Sequence, residues 1–130
     1  MLSAIVISKN EQEMISDCLL SLKFCDEIIV VDTGNTDRTN EIAKKHKSKI
    51  VNSTGSDYSK FRNDSLAAVL GDWILFVDAD ERVTPLLRSE IEETITQHAA
   101  KSAYAIGRQS IILGRHMMHG GWGTDLKSPH

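Results

Sequence analysis

The chain has 130 residues, of which 41% are hydrophobic and 25% are charged. This length and composition are typical of one soluble globular domain with its own core, and they exclude a disordered chain. The 15 basic and 18 acidic residues give a net charge of −3. Proteins that bind nucleic acid usually carry a basic excess or stripe, so the charge balance does not indicate such a partner. The apolar residues 1–7 are too few for a signal sequence or a membrane span.

Short apolar runs and helical stripes alternate along the first three quarters of the chain. Strands are predicted at residues 2–7, 27–31, 49–51 and 73–77, and helices at residues 11–22, 36–46, 59–70 and 85–98. This order favours an α/β fold in which a mostly parallel sheet is covered by helices on both faces. The run at 73–77 is unbroken, which predicts a central strand buried on both faces.

Capping and turn residues set the expected helix boundaries. Thr36 or Asn35 is a candidate N-cap for the second helix, and Thr84 followed by Pro85 marks the start of the fourth. Gly71 is expected to end the third helix. The inward-facing residues of that helix are predicted to be Phe61, Leu66, Val69 and Leu70.

The last thirty residues have a different character. Two short strands are expected at residues 103–108 and 110–113, and residues 114–123 contain too much glycine for a stable helix. Residues 124–130 supply no closing element. We therefore expect the chain to stop partway through a larger fold.

Acidic residues follow the predicted central strand, and Asp78 and Asp80 are two positions apart. In an extended chain this spacing places both carboxylates on one side, and ligands of open α/β sheets bind beyond the carboxyl ends of the strands. Such oxygen donors suit Mg²⁺ or Mn²⁺, particularly when a phosphate supplies further ligands. A solvated turn after a core strand is the alternative for an isolated Asp-x-Asp.

The cysteines and two of the histidines have simpler explanations than metal binding. Cys18 and Cys25 are expected to be core thiols in a reducing compartment, with a disulfide or metal role as the alternative. His116 and His119 could be zinc ligands, but without a third ligand they indicate a flexible loop instead.

A group of lysines lies near the predicted end of the second helix: Lys44, Lys45, Lys47 and Lys49. Cations are favourable near a helix C-terminus, which predicts a solvated helix end. Binding to an anionic membrane surface is the alternative. We expect a cytoplasmic protein, which would lie at the inner face of the membrane in the second case.

Four motifs, taken in order, resemble those of the family 2 glycosyltransferases. They are residues 7–11 (ISKNE) after the first strand, residues 31–39 (VDTGNTDRT) after the second, residues 61–63 (FRN) on the third helix, and residues 71–81 (GDWILFVDADE) around the fourth strand. The resemblance covers residues 2–125. It is closest to members that build bacterial lipopolysaccharide core or other surface polysaccharides, where a segment like residues 114–122 is common.

The resemblance implies a glycosyltransferase-A fold, in which a Rossmann-like nucleotide-binding part continues into an acceptor part. Residues 1–100 would be the nucleotide-sugar-binding portion of one incomplete domain, and residues 101–130 the start of the acceptor portion. The implied activity is metal-dependent transfer of a sugar, often with inversion, from a nucleotide-diphosphate sugar. A UDP-sugar is the expected donor, a saccharide or lipid-linked glycan the acceptor, and Mn²⁺ or Mg²⁺ the metal.

The resemblance also implies roles for single residues. Asp80 would be the direct metal ligand, while Asp78 would face the ribose or donor sugar and reach the metal through water. Asp32 would contact the base or ribose, as the acid after the second strand does in dinucleotide-binding folds; capping its own turn is the alternative. Arg62 would contact the base or diphosphate, although it could also be a solvated cation in the first helical turn.

Two further roles concern the tip of the first strand and the end of the chain. Ser8 and Asn10 would line the nucleotide pocket. An inverting transfer needs a general base, and Asp125 is the candidate by position, as the only carboxylate after Glu93. In the family this base usually comes from beyond the point where this chain ends.

Two other functional classes fit parts of the pattern. A phosphatase of the haloacid dehalogenase kind also has Asp-x-Asp after an apolar strand, but threonine is expected there at the second position beyond the last Asp. That position is Arg82. The second alternative is a non-catalytic nucleotide-sugar-binding module or an inactive fragment without the acceptor half.

Overall fold

A computed structural model describes residues 1–53, 57–97, 103–105, 111–117 and 121–122. The strands are β1 (Leu2–Ser8), β2 (Glu27–Asp32), β3 (Lys49–Asn52), β4 (Trp73–Asp78), β5 (Ala103–Ala105), β6 (Ile112–Met117) and β7 (Gly121–Trp122). The helices are α1 (Ile15–Ser21), α2 (Thr39–Lys45), α3 (Tyr58–Leu66) and α4 (Pro85–Gln97). This order confirms the predicted α/β class.

The sheet has the strand order β3-β2-β1-β4-β6-β5, with β7 paired to β6. β3, β2, β1 and β4 are parallel, whereas β6 is antiparallel to β4, β5 and β7. The chain first builds the sheet outward from β1 to β3 and then returns to add β4 on the other side of β1. Ligands of open α/β sheets bind at such a reversal, beyond the carboxyl ends of the strands.

The central strands are apolar on both faces because each face is covered by helices. On the first face, Val6 and Leu75 belong to a core formed with α1, α2 and α4. On the second face, Ile5 and Phe76 belong to a core formed with α3. Side chains alternate between these cores along each strand, which explains the unbroken apolar runs of β1 and β4.

The second helix begins later than predicted. α2 starts at Thr39 and has no side-chain N-cap, so the expected cap at Thr36 or Asn35 is wrong. Both residues are used in another way: the Thr36 N–H donates to Asn10 Oδ1, and Asn35 Oδ1 accepts from the Asn10 N–H. These bonds join the loop after β2 to the loop after β1, and the helix begins three residues beyond Thr36.

The fourth helix begins at Pro85 as predicted. Its cap is also confirmed, because Thr84 Oγ1 accepts a hydrogen bond from the Leu87 N–H at 3.1 Å. Leu86, in the first turn, is 81% exposed. No helix within the described ranges is long and apolar enough to cross a membrane.

The third helix ends at Leu66, earlier than predicted, and Leu70 is 71% exposed instead of facing inward. Gly71 does not cap this helix. It lies against β1, where an added Cβ would be 2.4 Å from Ser3 Oγ and 2.8 Å from the Met1 carbonyl oxygen. Close packing of two chain segments therefore requires the glycine.

Candidate functional site

The carboxyl ends of β1, β2 and β4 bring three of the predicted site residues to one edge of the sheet. Ser8 is the register partner of Asp32, and Ile7 is the partner of Asp78. Parallel pairing fixes this arrangement, because strands that run side by side end at the same edge. The loops that follow the three strands form the candidate site.

Residues 78–81, at the end of β4, form a turn that carries Asp78, Asp80 and Glu81, and we call it the acidic turn. The Glu81 N–H donates to the Asp78 carbonyl oxygen at 2.9 Å, so our premise of an extended chain at residues 78–80 is wrong. Ala79 is buried, at 2% exposure, whereas Asp78 is half-buried and Asp80 exposed. The turn is thus anchored by alanine and presents its acidic side chains beyond the strand.

Like charges in this turn act on one another. Burial, followed by the charges of Asp80 and Glu81, raises the pKa of Asp78 above its usual value. The carboxyl groups must lie close together for this effect, and in such groups ionisation of one disfavours ionisation of the next. A bound cation would relieve that repulsion.

Glu11, in the loop after β1, belongs to the same acidic group and was not among the predicted site residues. Burial and the charges of Asp80 and Asp37 raise its pKa. Its N–H donates to Thr39 Oγ1 at 2.9 Å, which fixes Glu11 between α2 and the acidic turn. Glu11 is the last residue of the motif ISKNE, which was a signal for this position, but only the fold shows which charges lie near it.

The oxygen donors of the turn fit a hard divalent cation only in part. Within the described ranges, no three His, Cys, Asp or Glu side chains are arranged to hold a metal ion by themselves. Asp78 and Asp80 supply carboxylate oxygens, the donor type that Mg²⁺ and Mn²⁺ prefer. Such a pair suits a metal whose remaining ligands come from a phosphate and water.

Helix α1 contacts the acidic turn and the segment that follows it through hydrogen bonds and an ion pair. The Cys18 thiol donates to the Asp78 carbonyl oxygen at 3.6 Å, and Ser21 Oγ accepts from the Val83 N–H at 2.9 Å. The exposed pair Arg82 with Asp17, at 2.9 Å, joins the same two segments. Arg82, which stands where a haloacid dehalogenase phosphatase would have threonine, therefore forms an ion pair at the surface.

The carboxylate of Asp32 is tightly bonded. Its Oδ1 accepts from the N–H groups of Gly34 and Asn35 at 2.8 and 2.6 Å, and its Oδ2 accepts from Asn40 Nδ2 at 2.8 Å. Burial raises the pKa of Asp32, but these hydrogen bonds and the charge of Lys9 outweigh it and lower the pKa overall. Asp32 therefore caps its own turn and remains ionised, so it can only accept hydrogen bonds from a ligand.

Ser8 and Asn10 join the loops around Asp32. Ser8 is only 1% exposed, and its Oγ donates to the Val31 carbonyl oxygen at 2.8 Å while accepting from Asn35 Nδ2 at 2.9 Å. Asn10 is exposed, with a φ of 53°, a left-handed conformation that asparagine tolerates better than most residues. Of the two, Asn10 lies at the surface that a ligand could reach.

Arg62 lies at the start of the second turn of α3, which begins at Tyr58, one residue beyond the first turn that the alternative of a solvated cation assumed. Its guanidinium is 5.5 Å from the centroid of the Phe76 ring. Strand alternation places Asp78, two residues beyond Phe76, on the same face. Arg62 thus lies on the side of the sheet toward which Asp78 points, while Asn40 holds Asp32 from the other face.

A cavity of about 610 Å³ adjoins the acidic turn on the side of α4. Its wall contains apolar side chains from three segments, Met14, Leu87 and Ile111, and the acids Asp80 and Glu81. Asp32, Asp78 and Arg62 are not part of this wall. The acidic turn therefore separates two regions, the loops around Asp32 and this half-apolar cavity.

Some predicted features lie outside the described residues. Asp125 and His119 are among them, and so is the loop at 54–56. His116 belongs to β6, where it is the register partner of Trp122, and not to a loop. Cys18 and Cys25 are free thiols, as expected.

Comparison with known sequences adds independent information. The sequence matches the family described as glycosyl transferase family 2 over residues 3–122. It is 36% identical over 115 residues to a TPR repeat-containing protein of Synechococcus elongatus, covering 87% of this chain and 28% of that protein. It is 33% identical over 115 residues to an uncharacterized glycosyltransferase of Rickettsia conorii, covering 88% and 41%.

A third relative is the lipopolysaccharide core biosynthesis glycosyltransferase LpsC of Rhizobium meliloti. It is 26% identical over 118 residues, covering 87% of this chain and 44% of LpsC. The chain thus spans less than half the length of each of these three relatives.

Among solved structures, the chain is similar to glucosyl-3-phosphoglycerate synthase from Mycobacterium tuberculosis. The complex of that enzyme with UDP has a TM-score of 0.69 and 24% identity, covering 80% of this chain and 43% of the enzyme. A complex with Mn²⁺, UDP and glucosyl-3-phosphoglycerate has a TM-score of 0.67 and 22% identity, covering 80% and 42%. This likeness confirms the glycosyltransferase-A fold.

Proposed function

Because the chain belongs to glycosyl transferase family 2, we propose that it forms the donor-binding part of an enzyme that transfers a sugar from a nucleoside diphosphate to an acceptor. The donor is a UDP-sugar, and the reaction depends on Mn²⁺ or Mg²⁺. Residues 1–100 form the nucleotide-sugar-binding portion and residues 101–130 begin the acceptor portion. The structure of glucosyl-3-phosphoglycerate synthase with Mn²⁺ and UDP supports this choice of donor and metal.

One observation carries the proposal, the acidic turn at the carboxyl end of the central strand β4. Burial and the charges of Asp80 and Glu81 raise the pKa of Asp78, so the turn concentrates negative charge at a place where a divalent cation would be attracted. Asp80 is exposed, and its carboxylate would be the direct metal ligand, while Asp78 would face the ribose or donor sugar and reach the metal through water. The diphosphate of the donor would supply further ligands.

The remaining nucleotide contacts come from the loops after β1 and β2 and from α3. Asp32, held ionised, accepts from a ribose hydroxyl or an N–H of the base. Arg62 donates to the diphosphate or to a carbonyl of the base. Asn10 lines the nucleotide pocket at its surface, and Ser8 acts from beneath it by holding Asn35.

The chemistry of transfer follows from charge development. The leaving nucleoside diphosphate becomes more negative as the glycosidic bond breaks, and a bound Mn²⁺ or Mg²⁺ would stabilise that charge in the transition state. Arg62 adds fixed positive charge at the same place. The attacking hydroxyl of the acceptor must lose its proton to a base, for which Asp125 is the candidate within this chain.

The acceptor approaches from the side of α4. The cavity beside Asp80 and Glu81 would receive the acceptor, because it adjoins the proposed metal ligand. The apolar side chains of Met14 and Leu87 in its wall suit a lipid-linked glycan as well as a free saccharide. The similarity to LpsC favours lipopolysaccharide synthesis as the process served. We place the protein in the cytoplasm, where Lys44 and Lys45 could hold it at the anionic inner face of the membrane.

A thermal-shift experiment tests the donor site. UDP at about one hundred times its Kd should stabilise the protein by about 2.7 kcal/mol, seen as a rise of several degrees in Tm, but only with Mn²⁺ or Mg²⁺ present. Asp80→Ala should abolish the metal-dependent rise without lowering the Tm of the ligand-free protein. Glu93→Ala, which removes an exposed acid of α4, is the matched control and should respond as the wild type does.

If no nucleoside diphosphate raises the Tm of the wild type with any divalent cation, the donor site is wrong. If Asp80→Ala still binds UDP with Mn²⁺ normally, the metal assignment is wrong. Release of sugar from a panel of UDP-sugars then separates an enzyme from a non-catalytic binding module. Membership of family 2 leaves the phosphatase alternative without support.

A further inference from the structure

Asn40 holds the Asp32 carboxylate from the first turn of α2. Its Nδ2 donates to Asp32 Oδ2 at 2.8 Å, and its Oδ1 accepts from Asn35 Nδ2 at 2.9 Å. These two bonds fix the orientation of the Asn40 amide, because its oxygen must face the donor on Asn35 and its nitrogen must face the carboxylate.

Asn35 is in turn fixed by β1 and the loop that follows it. Its Oδ1 accepts from the Asn10 N–H at 2.7 Å, and its Nδ2 also donates to Ser8 Oγ at 2.9 Å. Ser8 Oγ donates onward to the Val31 carbonyl oxygen at 2.8 Å. A continuous series of hydrogen bonds therefore runs from the end of the sheet through two amides to Asp32.

The two oxygens of Asp32 are not equivalent. Oδ1 already accepts two backbone N–H groups, those of Gly34 and Asn35, whereas Oδ2 accepts one bond, from Asn40. A carboxylate oxygen accepts about two hydrogen bonds. The acceptor position left for a ligand is therefore on Oδ2, and its direction depends on Asn40.

We propose that Asn40 is a positioning residue, which orients Oδ2 of Asp32 to accept a hydrogen bond from the base or ribose of the donor nucleotide. This proposal rests on the function proposed above. It touches no ligand itself. Without it, the carboxylate keeps its two backbone bonds to Oδ1 but gains freedom to turn the Oδ2 position away from the nucleotide.

The test uses Asn40→Asp, which has nearly the same shape. The oxygen that faces Asn35 remains, but the donor that faces Asp32 becomes a second carboxylate oxygen. At pH 8 the two carboxylates repel each other, and UDP affinity with Mn²⁺ should fall on the order of tenfold. Near pH 5 a proton shared by the pair restores a hydrogen bond, so the affinity relative to wild type at the same pH should partly recover.

Two comparison variants separate positioning from a change of charge or a loss of structure. Asn40→Ala removes the bond without adding a carboxylate, so its affinity relative to wild type should be low at both pH values. Ser89→Asp adds the same charge on the exposed surface of α4 and should bind as the wild type does at both. A thermal melt of each variant at each pH checks that the variant is folded under the conditions in which its affinity is measured.

An NMR titration of the Asp32 carboxyl carbon in the ligand-free protein tests the role of Asn40 independently of UDP binding. Asn40→Asp should raise the apparent pKa of Asp32, and Ser89→Asp should not. If the wild type binds UDP and the affinity ratio of Asn40→Asp does not change with pH, the positioning role is overturned. If the wild type binds no nucleoside diphosphate, the donor function fails, and an unshifted Asp32 pKa would then also overturn its orientation by Asn40.

Discussion

The thiol of Cys18 lies 3.6 Å from the main-chain carbonyl oxygen of Asp78, so the floor of the acidic turn is a buried cysteine of α1. Cys18 is fully buried, and burial, followed by the negative charges of Asp80 and Asp78, raises the pKa of its thiol to about 12. The group that supports the site is therefore held in its neutral, unreactive form.

We expect both cysteines of the native protein to resist alkylation. Burial, with the charge of Asp26, also raises the pKa of Cys25 to about 12, and the thiolate is the reactive species. At pH 8 the native protein should react with a thiol reagent far more slowly than the protein in guanidinium chloride, where both thiols should titrate. Rapid reaction of one thiol in the native protein would contradict the full burial of Cys18 or the partial burial of Cys25.

A partly buried glutamate, Glu27, connects several segments at the opposite, amino-terminal end of the sheet. Glu27 Oε2 accepts from Ser3 Oγ at 2.6 Å and from the Leu70 N–H at 2.7 Å, and Oε1 lies 2.8 Å from Lys49 Nζ. Burial raises the pKa of Glu27, but these three partners together lower it below its usual value. The carboxylate thus ties β2 to β1, to β3 and to the segment before β4.

Glu27→Gln should lower the free energy of unfolding by about 2 kcal/mol at pH 7, since hydrogen bonds to charged groups are among the stronger ones. A folded-state pKa below the unfolded value means that the stabilisation is present above the unfolded pKa of about 4.3 and is lost as the pH falls. Urea denaturation at several pH values should therefore show the difference between variant and wild type shrinking toward pH 4. Glu93→Gln, on an exposed surface, should show no such difference.

The contrast between the two ends of the sheet shows what the sequence could predict. The parallel strands were predictable because burial on both faces leaves an unbroken apolar run, as in β4. The end of α3 was not, because Leu70 and Gly71 are placed by contacts with Glu27 and Ser3, which are far away in sequence. Local patterns do not contain such distant contacts.

The candidate site was predictable to a similar extent. Strand order and motif spacing were enough to expect Asp32 and Asp78 at one edge of the sheet. Glu11 and Asn40 were missed because their importance comes from the neighbours that the fold provides, the acidic turn for one and the Asp32 carboxylate for the other. The residue types alone are ordinary at a loop and at the start of a helix.

Gly71 gives a steric test of the contact between β1 and the segment before β4. Gly71→Ala would place a Cβ 2.4 Å from Ser3 Oγ and 2.8 Å from the Met1 carbonyl oxygen, and should destabilise the protein by about 2–3 kcal/mol. Adding Ser3→Ala removes the first clash and leaves the second. The double variant should therefore lose less free energy of unfolding than the two single variants together, and strict additivity would contradict the close contact.

The acidic turn should lower stability when it carries its full charge. Because the pKa of Asp78 is raised in the folded protein by burial and by Asp80 and Glu81, its contribution to stability is present below the unfolded pKa and is lost as the pH rises through the folded one. Asp78→Asn should therefore raise the free energy of unfolding at pH 7, by about 0.5–1 kcal/mol for a half-buried group. The gain should shrink toward pH 4, as urea denaturation would measure.

The same substitution should weaken UDP binding in the presence of Mn²⁺, because a neutral amide attracts the metal and its bound water less strongly than a carboxylate does. Stability and binding would then change in opposite directions, as expected of a residue kept for function at a cost to folding. Glu93→Gln again serves as the control and should change neither. If Asp78→Asn is instead less stable than wild type at pH 7, the carboxylate has a favourable partner, for which Arg62, beside Phe76 on the same face of the sheet, is the first candidate.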